Sequence, residues 1–214
     1  MTTNILNALL VIILMLNLFT LGTSRIQSVI RTVAMQGILL GIIPLLVHAH
    51  IGLASIVVSL TAIILKGFVI PSMMLQALRD AQIKREVEPL IGILPSIILG
   101  ALATVFALLF TSSIPLAEEN VSKLIVPSSI ATILIGFIIL TTRFKALSQV
   151  IGYLILENGI FIFGVLLMGA MPMMVEMGVL LDLFVGIFVS CIIISKINQS
   201  FSSMDTRILS SLKE

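Results

Sequence analysis

Gly152-Tyr-Leu-Ile-Leu-Glu-Asn-Gly-Ile-Phe-Ile-Phe-Gly164 decides how this chain is read. It lies inside an apolar run from about Ala146 to Gly169, long enough to cross a bilayer as a helix. Glu157 stands near the middle of that run, with Asn158 and Gly159 beside it. A carboxyl group at the centre of a bilayer costs a few kcal/mol, roughly 2.5–3.5 on insertion scales, so it is tolerated mainly where it is paired, wetted or used. The rest of the sequence is read outward from that glutamate.

Of the 214 residues, 59% are hydrophobic and only 10% are charged, and the mean hydropathy is +1.26. A soluble domain could not bury so much apolar surface and still cover itself with polar groups. The apolar runs have helical length and lack the ten-residue alternation of a membrane barrel. They specify an all-α, polytopic membrane protein. The single cysteine, Cys191, excludes an internal disulfide and any cysteine-cluster metal site within one chain. No phosphate loop, Ser/His/Asp arrangement, metal-ligand spacing or nucleic-acid face is present.

Seven crossings are expected. The first covers about Asn4 to Leu21, read as a retained helix because no basic side chain precedes its long apolar core. The others run from about Val33 to Val47, Ile51 to Leu78, Leu90 to Leu109, Leu124 to Leu140, Ala146 to Gly169 and Met173 to Ser195. Lys and Arg fix the orientation. Ten of the twelve fall in the first, third and fifth loops or in the tail, which places the N-terminus outside and the C-terminus in the cytoplasm. The loop at 112–122 divides a four-helix part, 1–111, from a three-helix part with its cytoplasmic tail, 123–214.

Four charged side chains fall within these crossings: Lys66, Glu157, Glu176 and Asp182. Counting along each helix brings Lys66, Glu157 and Asp182 to one depth, while Glu176 lies a turn from the outer face. Left unpaired, three such groups cost on the order of 8–10 kcal/mol. They form either a structural clasp or a row of exchangeable proton sites in which each charge biases its neighbours. His48 and His50 occupy a short outer turn, suited to interfacial packing or to a proton entry point. Gln36 and Asn158 can hydrogen-bond between helices. Pro71 frees a carbonyl near Gly67 and Lys66, allowing a local break beside the lysine.

The run Lys145-Ala-Leu-Ser-Gln-Val-Ile-Gly-Tyr-Leu-Ile-Leu-Glu-Asn-Gly-Ile-Phe161 resembles component E of the hydrogenase-4, or formate-hydrogenlyase, type of membrane-bound [NiFe]-hydrogenase. So do Lys66-Gly-Phe-Val-Ile-Pro71, Arg85-Glu-Val-Glu-Pro89, Val175-Glu-Met-Gly-Val-Leu-Leu-Asp182 and the tail from Lys196 to Lys213. The last three helices are also similar to the K-type small membrane subunit of respiratory complex I. Asp182, four residues before Gly186, matches the carboxylate of that subunit's last helix. Where its other carboxylate falls, this chain has Leu154, and Glu157 follows about one turn later on the same helix face.

The resemblance implies a multi-pass subunit of a prokaryotic cytoplasmic (inner) membrane complex, lying between antiporter-like subunits and the hydrogenase-anchoring subunit and surrounded by lipid. It implies no cofactor in this chain, with the NiFe centre and iron–sulfur clusters in partner subunits. Glu157 and Asp182 would carry protons, and Lys66 would modulate them. The competing readings are a stand-alone proton-coupled transporter and a scaffold subunit whose buried charges only lock assembly.

Overall fold

The computed structural model describes residues 2–47, 53–80, 90–112, 123–143, 145–167 and 178. Every element among them is helical: α1 (Thr2–Gly22), α2 (Ile26–Val47), α3 (Leu53–Ala62), a π-helical segment (Ile63–Val69), α4 (Ile70–Asp80), α5 (Ile93–Ser112), α6 (Ile125–Thr142) and α7 (Ala146–Leu167). The α3, π and α4 pieces follow one another without a gap, so these elements supply six helices long and apolar enough to cross a membrane. Apart from Gly178, the expected seventh crossing, with Glu176 and Asp182, lies outside the described residues, as do His48 and His50.

Lipid offers the backbone no hydrogen-bond partner, so an apolar run of this length closes its own N–H and C=O groups as a helix. The hydroxyls on these helices follow the same rule. Thr20, Thr32, Thr104, Thr111 and Thr132 each donate to the carbonyl four residues back in their own helix, which hides a polar group at little cost.

One boundary differs markedly from the sequence reading. The second crossing begins at Ile26, seven residues before the expected Val33, so Arg31 belongs to α2 and not to the preceding link. The first turn closes when the Val29 N–H donates to the Arg25 carbonyl at 3.2 Å. Both Arg25 and Arg31 are exposed, so their stems can follow the helix while the guanidinium groups reach the interface. The third crossing is not a uniform α-helix, and its irregular part falls at Lys66 and Gly67, where Pro71 allows a local break. Within it, the Ile70 N–H donates to the Leu65 carbonyl, five residues back. Pro71 has no N–H to give, and the wider π turns lie immediately before it.

α2 is the central helix, packing on α1, on all three pieces of the third crossing and on α7. α6 lies between α5 and α7 and also touches α1. The buried apolar side chains form two clusters at different levels. One holds Leu21, Val33, Ile70, Ile135 and Ile151; the other holds Leu10, Leu40, Ala62, Ile125 and Ile162. Each cluster draws on residues before 112 and after 122. The order in which each helix meets the two clusters makes α1, the third crossing and α6 parallel to one another and antiparallel to α2 and α7. α5 is the most exposed of the six crossings, with 17% of its apolar span buried against 61% for α7.

Candidate functional site: a buried polar belt

Between the two apolar clusters, five crossings each bring polar side chains to the same level. They are Asn17 on α1, Gln36 on α2, Lys66 on the π segment, Thr132 on α6, and Glu157 with Asn158 on α7. All six are buried. Lys66 Nζ lies 2.8 Å from Glu157 Oε1, with 4% and 1% of the two side chains exposed. The ammonium also sits 5.3 Å from the centre of the Phe161 ring, within range of a cation–π attraction. Glu157 Oε2 has no hydrogen-bond partner among the described residues.

Amide groups extend the belt away from this pair. Lys66 Nζ donates to Asn158 Oδ1 at 3.5 Å, and Asn158 Nδ2 donates to Gln36 Oε1 at 3.4 Å. Gln36 Nε2 donates to Asn17 Oδ1 at 2.8 Å, and Asn17 Nδ2 donates to Thr132 Oγ1 at 2.8 Å. Thr132 then donates to the Ser128 carbonyl at 2.7 Å. Lys66, Glu157, Asn158 and Gln36 therefore meet in one network. Asp182, Glu176, His48 and His50 lie outside the described residues.

Two close helix approaches hold the belt in place. A Cβ on Gly37 would lie 2.7 Å from both the carbonyl carbon and the Cβ of Lys66, and one on Gly41 would overlap Ile63. This Gly37-x-x-x-Gly41 stripe lets α2 lie against the backbone of the π segment and so fixes where Lys66 leaves its helix. On the other side, a Cβ on Gly159 would come within 2.7 Å of the Ile133 nitrogen and 2.9 Å of the Ser129 carbonyl. The pairing of α7 with α6 thus sets the height of Glu157 and Asn158.

The sequence reading missed Asn17, Thr132 and the glycine stripe. Asn17 was legible as an amide inside an uninterrupted apolar run, and the stripe as a small-x-x-x-small pattern. Thr132 was not, because a threonine that bonds its own helix has the same sequence signature as Thr104 or Thr111.

Chemically, the belt offers one pair of ionisable groups, Lys66 and Glu157, and four groups that do not titrate. Among the described residues, no three His, Cys, Asp or Glu side chains come together to hold a metal ion.

No model of a known protein family matches the chain, and no solved structure matches it. Over 191 residues it is 30% identical to the uncharacterized protein Rv0085 of Mycobacterium tuberculosis, covering 88% of this chain and 87% of that one. The chain belongs to the Rv0085 family. It is also 24% identical over 155 residues to hydrogenase-4 component E of Escherichia coli, with 72% of each chain covered, and equally to that of Shigella flexneri. The resemblance to component E therefore stands at the level of distant similarity spread over most of the Rv0085-family chain.

Proposed function

We propose that the chain is a membrane subunit of a complex-I-like, hydrogenase-type assembly, and that the Lys66–Glu157 pair takes part in moving protons coupled to electron transfer in partner subunits. The observation that carries this reading is the pair itself. A lysine and a glutamate, 4% and 1% exposed, face each other at 2.8 Å between two apolar clusters. Removing both charges from water costs several kcal/mol per ion, and a well-packed apolar pair would serve stability equally well or better. Ionisable residues deep in a membrane bundle mark ion and proton paths by default. The distant similarity to hydrogenase-4 component E supports the rest.

In this reading Glu157 exchanges protons through Oε2, the oxygen turned away from Lys66, and Lys66 supplies the charge that governs when it does so. Asp182 continues the path as the carboxylate of the seventh crossing, and the N-terminus faces outward. Partners carry the NiFe centre and iron–sulfur clusters, and antiporter-like and anchoring subunits flank the chain in a prokaryotic inner membrane.

The scaffold reading finds support in one observation, the near-complete enclosure of the pair. Two steps separate the readings. Purification from native membranes in mild detergent, with mass spectrometry of the co-purifying proteins, yields a [NiFe] large subunit and antiporter-like chains if the assembly is right. In that complex, Glu157→Gln and the charge-free double variant Lys66→Met with Glu157→Gln then abolish or strongly reduce proton translocation while assembly persists. Normal translocation in both variants leaves only the scaffold role.

A further inference from the structure

The hydrogen bonds of the belt all run in one direction. Starting at the Lys66 ammonium, each group accepts from the one before it and donates to the next: Asn158, Gln36, Asn17 and Thr132, ending on the Ser128 carbonyl. The polarity does not depend on which way any single amide is turned, because both ends dictate it. An ammonium has donors and no acceptor, so Asn158 must present its oxygen to Lys66. Thr132 spends its only hydrogen on the Ser128 carbonyl, so it must accept from Asn17. A head-to-tail chain of amides satisfies both ends in one orientation only.

Two consequences follow from ordinary amide chemistry. A carboxamide at neutral pH neither gives up nor takes on a proton, so this side of the belt does not conduct protons. A chain of aligned hydrogen bonds also polarises itself cooperatively, and its near end places a carbonyl oxygen against the ammonium. That arrangement favours the charged pair, Lys66–NH₃⁺ with Glu157–COO⁻. The alternative, Lys66–NH₂ with Glu157–COOH, is reached by passing one proton across the 2.8 Å contact and creates no net charge.

We propose that Asn158, Gln36, Asn17 and Thr132 act together as positioning residues, forming a one-way amide chain that keeps the shared proton on Lys66 and closes the α1 side of the belt to proton exchange. Glu157 Oε2, which no described residue engages, is then the atom through which the pair exchanges protons. This deepens the proton-handling reading above and rests on it for its biological meaning. Its test reads the charge state of the pair and not translocation, so the two can fail separately.

Thr132→Val is close to isosteric and removes the far-end determinant. Asn17 Nδ2 loses its acceptor, so only the ammonium still holds the chain forward. Passing its proton to Glu157 leaves a neutral amine that can accept from a reversed Asn158 amide, and the neutral pair gains weight. The complex in its native membranes, labelled with ¹³C-glutamate, is measured by infrared difference spectroscopy, with Glu157→Gln assigning the band. In the unmodified protein Glu157 absorbs as a carboxylate. In Thr132→Val it loses part of that band to a protonated carboxyl, and Thr132→Ser restores it. A role confined to packing would lower the stability of the bundle and leave the band in place. An unchanged band in Thr132→Val overturns the proposal, as does a protonated Glu157 in the unmodified protein.

Should Thr132→Val fail to accumulate, the unmodified protein decides by solid-state NMR. Side-chain amide protons of Asn17 in contact with Thr132 Cβ support the chain as described. Contact of those protons with Gln36 Cδ instead means the chain runs the other way, and the proposal falls.

Discussion

Lys66 and Arg143 are both cations with almost no exposed surface, 5% and 3% respectively, yet they are compensated in different ways. Lys66 leaves a π segment between the two apolar clusters and meets a carboxylate. Arg143 follows the last residue of α6, and its Nη2 donates to the Leu21 carbonyl in the last turn of α1 at 3.3 Å. Two helices thus end at Arg143, and neither carries a basic residue in its last turn, so one guanidinium serves the negative ends of both. Burial draws the Arg143 guanidinium below its ordinary value, but an arginine in a protein keeps its proton, and the carbonyl opposite cannot take one. Lys66 faces a group that can. Burial thus sets one cation against a backbone carbonyl, which cannot take its proton, and the other against a carboxylate, which can. On the function proposed above, compensation by backbone marks structure and compensation by a titratable side chain marks chemistry.

The comparison is broken most severely at Glu157. Glu157→Leu leaves Lys66 buried without its carboxylate, an error worth about 3–5 kcal/mol for a broken buried pair. The expected result is loss of the assembled protein, or a large drop in its midpoint during unfolding by SDS in mixed micelles. The double variant Lys66→Met with Glu157→Leu recovers most of that stability and none of the proton translocation. Full translocation in the double variant would return the pair to the scaffold reading.

Gly37→Ala comes next. The added methyl meets the Lys66 backbone at 2.7 Å, and overpacking of this kind costs about 1–3 kcal/mol. Because α2 and the π segment must move apart, the Lys66–Glu157 contact suffers along with stability. Gly22→Ala is the control: its methyl would meet only the flexible end of Ile97, at 3.2 Å. Equal losses of translocation in the two variants would mean that the glycine stripe does not position the lysine.

Arg143→Met removes the clasp between α1 and α6. A hydrogen bond from a charged donor contributes about 1.5–3 kcal/mol, and the same unfolding assay should show a loss in that range. Translocation per assembled complex is expected to stay unchanged. Arg143→Lys keeps the charge near both helix ends and recovers part of the loss. A translocation defect in Arg143→Lys would join the two cations into one functional system and remove the distinction drawn above.

How far the sequence foretold this arrangement differs by level. The six described crossings follow from run length, but the second starts seven residues before the expected Val33, because Arg31, a charged side chain, lies inside the helix. Lys66, Glu157, Gln36 and Asn158 stood out as polar groups in apolar surroundings, and helical rise alone put Lys66 and Glu157 at a common depth. Which amide bonds which depends on how helices far apart in sequence are rotated about their axes, and no local pattern carries that. Asn17 and Thr132 are 115 residues apart and meet at 2.8 Å; nothing near either residue announces the other. Arg143 was read as an orientation signal, which concerns where the loop lies and says nothing of the carbonyl 122 residues earlier to which it donates.

The mildest test concerns a hydroxyl beside the clasp. Ser148, at the start of α7, lines a small cavity with Thr20, Val29, Ile139, Arg143 and Ile151. Its Oγ is buried, with no hydrogen-bond partner among the described residues. An unsatisfied buried hydroxyl contributes nothing in exchange for its lost hydration, so Ser148→Ala is expected to be neutral or to stabilise the bundle by up to about 1 kcal/mol. The belt residues behave oppositely: Gln36→Leu strands Asn158 Nδ2 and Asn17 Oδ1 and is expected to cost up to about 1.7 kcal/mol, the upper end for hydrogen bonds between membrane helices. If Ser148→Ala costs as much as Gln36→Leu, the hydroxyl is engaged with Arg143 and the clasp is itself a side-chain network. The contrast between a backbone-compensated cation and a side-chain-compensated one would then rest on Lys66 alone.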